Sequence, residues 1–157
     1  MDLTIGPTLT TCSSGGAPGA GESSLRAAPG RGPRLGRVLV MDDEQLMREM
    51  LRRHLAVFGY ETEAFADGRA AVDAYARARE EGRLFDAVIL DWFVNGGWGG
   101  ERTMAELLAL DPGVKVMVCS GSLSGPDEGY LRQGFRAVLG KPYTLGELRL
   151  KLESMLA

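Results

Sequence analysis

Val38-Leu39-Val40-Met41-Asp42-Asp43 decides the fold of this chain: four apolar residues in a row, then two acids. So short and unbroken an apolar run suits a strand buried on both faces, as in a parallel sheet covered by helices on each side. The pattern recurs downstream. Ala87-Val88-Ile89-Leu90 runs into Asp91, Val114–Cys119 runs into Ser120, and Ala137-Val138-Leu139 leads to Lys141-Pro142. Glu61–Phe65 is a shorter, weaker strand candidate.

Between these runs the apolar period changes to that of a helix. Residues 44–58 place Met47, Met50, Leu51, Leu55 and Phe58 at helical spacing, with Gly59 where a terminating glycine belongs. Asp67 is positioned to cap a helix carrying Val72, Tyr75 and Ala76, which Gly82 stops. A loop of Asn95-Gly96-Gly97-Trp98-Gly99-Gly100 precedes a helix over Glu101–Leu110, broken by Asp111-Pro112-Gly113. Residues 126–133 make only a weak helix, interrupted by Gly125, Pro126 and Gly129. In the last helix Thr144 and Glu147 form a T-x-x-E capping box, and Leu145, Leu148, Leu152, Met155 and Leu156 are expected to line one face. Five strands alternating with five helices predict an α/β fold with a doubly wound, five-stranded parallel sheet.

Upstream, residues 1–36 hold eight Gly and four Pro and few large apolar side chains, which predicts a disordered leader or linker. Residues 37–157 are then the folded domain. The net charge of −3 arises there, because the leader's Arg26, Arg31 and Arg34 outnumber Asp2 and Glu22. A mildly acidic domain with scattered arginines argues against direct nucleic-acid binding. Cys12 and Cys119 read as reduced thiols. No apolar stretch approaches the ~18 residues of a membrane span, and Met1-Asp2 does not open a signal peptide. A cytoplasmic protein without membrane contact is expected.

Ligands of open parallel sheets bind at the carboxyl ends of the strands. The residues just past the strands here are Asp42 and Asp43, Asp91, Ser120 and Lys141. Crowded carboxylates repel one another unless a proton or a cation joins them. Oxygen ligands without His or Cys favour a hard ion such as Mg²⁺. That ion and Lys141 would neutralise an incoming phosphoryl group, Ser120 would donate to it, and an Asp carboxylate would serve as nucleophile.

This constellation, Asp42-Asp43, Asp91, Ser120 and Lys141-Pro142, resembles the receiver domain of two-component response regulators across residues 37–157. The resemblance implies a flavodoxin-like strand order 2-1-3-4-5 and a phosphoryl group accepted on Asp91 from a histidine kinase or histidine phosphotransfer protein. It implies Mg²⁺ bound by Asp43, Asp91 and the backbone carbonyl of Phe93, with Asp42 acting through water. Lys141 and Ser120 would contact the phosphoryl group, and the Lys141–Pro142 bond would be cis. Such a domain is a phosphoacceptor that assists its own phosphorylation and dephosphorylation, not an enzyme acting on other substrates. It signals by changing its contacts with a downstream protein, or with a second copy of itself in a homodimer. As the sequence closes on the capped helix, protein contact is the expected output.

Two positions depart from the family pattern. Asn95 stands where the family usually has Pro, and Val138 where an aromatic switch residue is common, although Tyr143 lies near. The segment Asp91 to Gly100 looks most like receivers attached to hybrid histidine kinases. A dehalogenase-like phosphatase would need a second Asp at position 93, where Phe93 stands. A pseudo-receiver that is never phosphorylated would be expected to lack one of the acids or the lysine. His54, mid-helix, and the loop residues Trp92 and Trp98 read as packing residues, and Cys119 as a small buried hydrophobe.

Overall fold

The structure, a computed structural model, describes residues 35–121 and 127–157. The leader read over 1–36 therefore lies, except for its last two residues, outside the described residues, as do Gly125 and Pro126. The elements alternate as read: β1 (Gly36–Met41), α1 (Gln45–Val57), β2 (Tyr60–Phe65), α2 (Gly68–Glu80), β3 (Ala87–Asp91), α3 (Gly100–Leu110), β4 (Val116–Ser120), α4 (Glu128–Arg132), β5 (Ala137–Gly140) and α5 (Leu145–Leu156). All strand pairs are parallel, in the order β2-β1-β3-β4-β5.

The unbroken apolar runs are explained by the two cores. Because strand side chains alternate faces, Leu39, Met41, Val88, Leu90, Val116 and Val118 enter one core with α2, α3 and α4. Val38, Val40, Ile89, Met117, Cys119 and Leu139 enter the other with α1 and α5. Every position in β3 and β4 is buried. No solvent face remains to require a polar residue.

Several boundaries differ from the reading, each for a local reason. β1 begins at Gly36, inside the stretch assigned to the leader. Its φ of 152° and the Asp86 carboxylate, 2.5 Å from where a Cβ would stand, leave room only for glycine. That carboxylate accepts the Arg37 N–H at 2.7 Å. β4 begins at Val116 instead of Val114 because Asp111 organises the turn before it. Asp111 Oδ1 accepts the Gly113 N–H at 2.9 Å and its carbonyl accepts the Val114 N–H at 3.1 Å. In α2 the buried face is Ala71, Ala74, Tyr75 and Ala78, so Ala76 is only partly covered. In α5 it is Leu148, Leu152 and Met155. Leu145, expected on that face, is 43% exposed because the first turn stands ahead of the part that lies on the sheet.

The two caps read from sequence are present. Asp67 accepts from the N–H groups of Arg69 and Ala70 at 2.8 and 3.2 Å, and Thr144 and Glu147 form the reciprocal capping box. Each such cap stabilises its helix by about 1 kcal/mol. α4 is only five residues long and has no side-chain cap, and it buries Tyr130 against the sheet.

Candidate functional site

Parallel register brings the strand ends to one level. Met41 pairs with Leu90, Asp91 with Cys119, and Ser120 with Gly140. Asp42, Asp91, Ser120 and Lys141 therefore converge at the carboxyl edge. Asp42, Asp91 and Ser120 are only 2%, 8% and 1% exposed. One carboxylate oxygen from each of Asp42, Asp43 and Asp91 lies within 4.8 Å of the others. The Lys141 Nζ stands 2.8 Å from Asp42 Oδ2 and 3.3 Å from Asp91 Oδ2. The Lys141 N–H donates to the Ser120 carbonyl at 2.8 Å, and the Lys141–Pro142 bond is cis.

The electrostatics follow from this crowding. Burial pushes the Asp91 carboxyl above its ordinary pKa; Lys141 pulls it back, and Asp42 and Asp43 push it further up. Burial opposes the charge on Lys141, but the hydrogen bond and attraction from Asp42, together with Asp91, outweigh it and raise the pKa. Asp43 moves the other way, held low chiefly by the Asn95 backbone N–H and also by the Asn95 side chain. One ammonium among three carboxylates leaves a surplus of negative charge. An all-oxygen donor set at this separation fits a hard divalent cation.

The sequence reading missed two residues that shape this acid pair. Arg48, one turn into α1, donates from Nη1 to the carbonyls of both Asp42 and Asp43 at 2.8 Å. The signal was available in principle, because helix side chains point back toward the N-terminus. Asn95 donates its backbone N–H and its Nδ2 to Asp43 Oδ2 at 3.1 and 3.0 Å. Nothing in a glycine-rich loop announces which acceptor its one Asn will find.

Trp92, read as loop packing, meets Tyr130 of α4 edge-on at 4.8 Å between ring centroids and Phe135 at 6.1 Å. The residue after Asp91 is thus in contact with the short helix. Val138 is buried in the core, and the phenol oxygen of half-buried Tyr143 is enclosed. Phe93, two residues after Asp91, is 59% exposed.

Cys119 precedes Ser120 in the α1–α5 core, and burial pushes its thiol up to about 12. In a Cys12→Ser chain at pH 8, iodoacetamide should label native Cys119 at least about a hundredfold more slowly than the urea-unfolded thiol. Equal rates would remove Cys119 from the core.

Residues 38–153 match the family model of the response regulator receiver domain. The response regulator MprA of Mycolicibacterium vanbaalenii is 34% identical over 122 residues, covering 76% of this chain and 50% of that protein. The transcriptional regulatory protein TcrA of Mycobacterium tuberculosis is 32% identical over 149 residues, 87% of this chain and 54% of that one. The chain thus spans about half the length of the curated relatives it matches. Among solved structures, the chemotaxis protein CheY4 of Vibrio cholerae is 25% identical with a TM-score of 0.68, over 77% of this chain and 98% of that one. The receiver domain of the sensor histidine kinase PA1611 from Pseudomonas aeruginosa, solved with magnesium in its active-site cleft, shares the fold. Its TM-score is 0.67 at 22% identity, over 77% of this chain and 97% of that one.

The chain belongs to the response regulator receiver domain family. Its function is that of a receiver in two-component signal transduction, which favours neither the phosphatase nor the pseudo-receiver reading. Among the described residues no helix is long and apolar enough to cross a membrane.

Proposed function

We propose that Asp91 accepts a phosphoryl group from the phosphohistidine of a histidine kinase or phosphotransfer protein, and that the change this causes alters contacts with a downstream protein. The observation that carries the reading is the Lys141 ammonium held between Asp42 and Asp91 beside a third carboxylate. An Asp91 oxygen attacks phosphorus, the phosphorus–nitrogen bond breaks, and the imidazole leaves with its proton while an acyl phosphate forms. Lys141 moves its attraction from the Asp91 carboxylate to the new phosphoryl oxygens, and the Ser120 hydroxyl donates to them.

Asp43, Asp91 and the Phe93 carbonyl would hold Mg²⁺, with Asp42 reaching it through water. Both Asp42 oxygens already accept hydrogen bonds, from the Glu44 N–H and from Lys141, which supports the indirect role. When bound, the ion supplies charge neutralisation for the transferring group.

The donor must approach Asp91 through the mouth of the site. Met47, Met50, Pro142 and Tyr143 beside Lys141 give that mouth an apolar rim. The protein carrying the phosphohistidine would cover it. On the output side, the Trp92–Tyr130 contact supports α4 as the element that responds, since a five-residue uncapped helix shifts at low cost.

In this reading the receiver begins with β1 at Gly36 and runs to residue 157, the stretch before it is a leader or linker, and the compartment is the cytoplasm. The parent protein would be a response regulator like those relatives, of whose length this chain spans about half. A second attachment, to a hybrid histidine kinase, is supported by the glycine-rich loop after Asp91. Phosphotransfer profiling against the host's histidine kinases separates the two. The reading itself is tested with acetyl phosphate and Mg²⁺. The wild-type chain should gain one phosphoryl group that Asp91→Asn does not, and equal labelling of both overturns it. Size-exclusion chromatography of the same samples reports whether the modified chain forms a homodimer.

Phe93 bears on how long the signal lasts. It lies two residues after Asp91 and is 59% exposed, and in this reading its apolar ring obstructs water attacking the acyl phosphate in line. Phe93→Asn should speed loss of the phosphoryl group by about tenfold, equal to about 1.4 kcal/mol of barrier. An unchanged half-life would remove the ring from the water's path.

A further inference from the structure

We propose that Asn95 is a positioning residue of the cation site, one that clamps Asp43 from the β3–α3 loop and thereby raises affinity for a divalent cation. The proposal rests on the reading of Asp43 as a cation ligand. Both donors of Asn95, the backbone N–H at 3.1 Å and Nδ2 at 3.0 Å, converge on a single oxygen, Asp43 Oδ2. Two N–H groups occupy the two lone pairs of that oxygen, so the carboxylate cannot swing and is presented through Oδ1.

The clamp also joins two loops that are 52 positions apart in sequence. Asn95 lies two residues after Phe93, so the same bonds fix Asp43 relative to the segment carrying the proposed carbonyl ligand. Arg48 holds the backbone carbonyls of Asp42 and Asp43 from α1. A clamped acid pair has less freedom to lose when a cation arrives, and donors that orient a ligating carboxylate typically carry about a tenfold or greater effect on metal affinity.

Proline, the usual family residue at this position, has no backbone N–H and no amide. Neither bond can form with it, so this site is built differently from that pattern. Asn95 is surface-exposed, so its replacement leaves both cores intact.

The experiment is a Mg²⁺ titration of the full chain by calorimetry and Trp fluorescence, with urea unfolding of each cation-free variant alongside. Asn95→Ala should bind Mg²⁺ about threefold more weakly and Asn95→Pro about tenfold more weakly, with Asn95→Ser between wild type and Asn95→Ala. Urea midpoints should fall only slightly, by the loss of the bonds that hold the Asp43 carboxyl low, and far less than the affinity. Asp43→Asn should lose most of the affinity. If Asp43→Asn binds poorly but the Asn95 variants bind like wild type or more tightly, the clamp is overturned and the cation reading stands. If affinity falls only in step with stability, Asn95 is merely structural and the proposal fails. If Asp43→Asn binds as wild type does, the cation reading fails and takes the clamp with it.

Discussion

Asp91→Asn should abolish phosphoryl uptake and, in the same cation-free protein at pH 7, raise stability by about 1 kcal/mol. The two effects share one cause. Burial, together with Asp42 and Asp43, raises the Asp91 pKa against the pull of Lys141. A carboxyl whose folded pKa lies above its unfolded value favours the protonated form on folding. Its ionisation therefore costs stability: no cost below the unfolded value near 3.8, and a growing cost as pH rises through the folded value. Asparagine keeps the shape, removes the charge, and leaves Lys141 with Asp42 as its partner. Urea midpoints should separate at pH 7, and should converge on acidification toward pH 4 or on adding Mg²⁺ to the wild type. A variant less stable than wild type at pH 7 would show that Asp91 is already fully compensated by its neighbours. That outcome would remove the electrostatic reason for a cation here.

What could be read in the sequence was whatever leaves a periodic or positional trace. Val38 to Met41 and Ala87 to Leu90 announce buried parallel strands because burial on both faces forbids a polar position. The strand ends then nominate Asp42, Asp43, Asp91, Ser120 and Lys141, and the register places them together. Asp67 and Thr144 were legible as caps because capping is local. What was not legible depends on distant partners. Asn95 reaches Asp43 across the sheet edge, and Trp92 meets Tyr130 from an adjoining strand and helix. Leu145 has the right spacing for the core yet stands in a turn that the sheet does not reach. Gly36 joins β1 because Asp86 occupies the space of a side chain, a fact about position 86. Periodicity records which face a residue prefers, and only coordinates record what waits there.

Lys141→Met should destabilise the cation-free protein by about 3 kcal/mol at neutral pH and disconnect phosphorylation from α4. The methionine preserves much of the lysine's apolar stem, so the change isolates the ammonium. Without it, Asp42 and Asp91, both buried, face each other uncompensated, and removing one partner from a buried ion group costs about 3–5 kcal/mol. The lower end applies because the Lys141 side chain keeps 18% of its surface in water at the mouth. In the wild type the Lys141 pKa is raised, so its contribution is fully present below the unfolded value near 10.5 and is lost only as pH climbs through the folded one. Between pH 5 and 8 the wild-type lysine therefore does not titrate, and any pH dependence of the difference comes from the stranded carboxylates. Asp91, whose pKa burial already raises, should protonate on acidification, so the penalty should shrink toward pH 4, and Mg²⁺ should reduce it at pH 7 by taking the ammonium's place. Urea unfolding across that range, with and without Mg²⁺, measures both trends. A penalty independent of pH and cation would mean that Lys141 acts through packing alone. Phosphoryl uptake should survive in the variant at a reduced rate, because Asp91 remains the nucleophile. Phosphorylation of the wild type should change Trp92 fluorescence through its contact with Tyr130. That change should be lost in the variant, since the ammonium that would follow the phosphoryl group is gone; a full change in Lys141→Met would assign the coupling to Ser120.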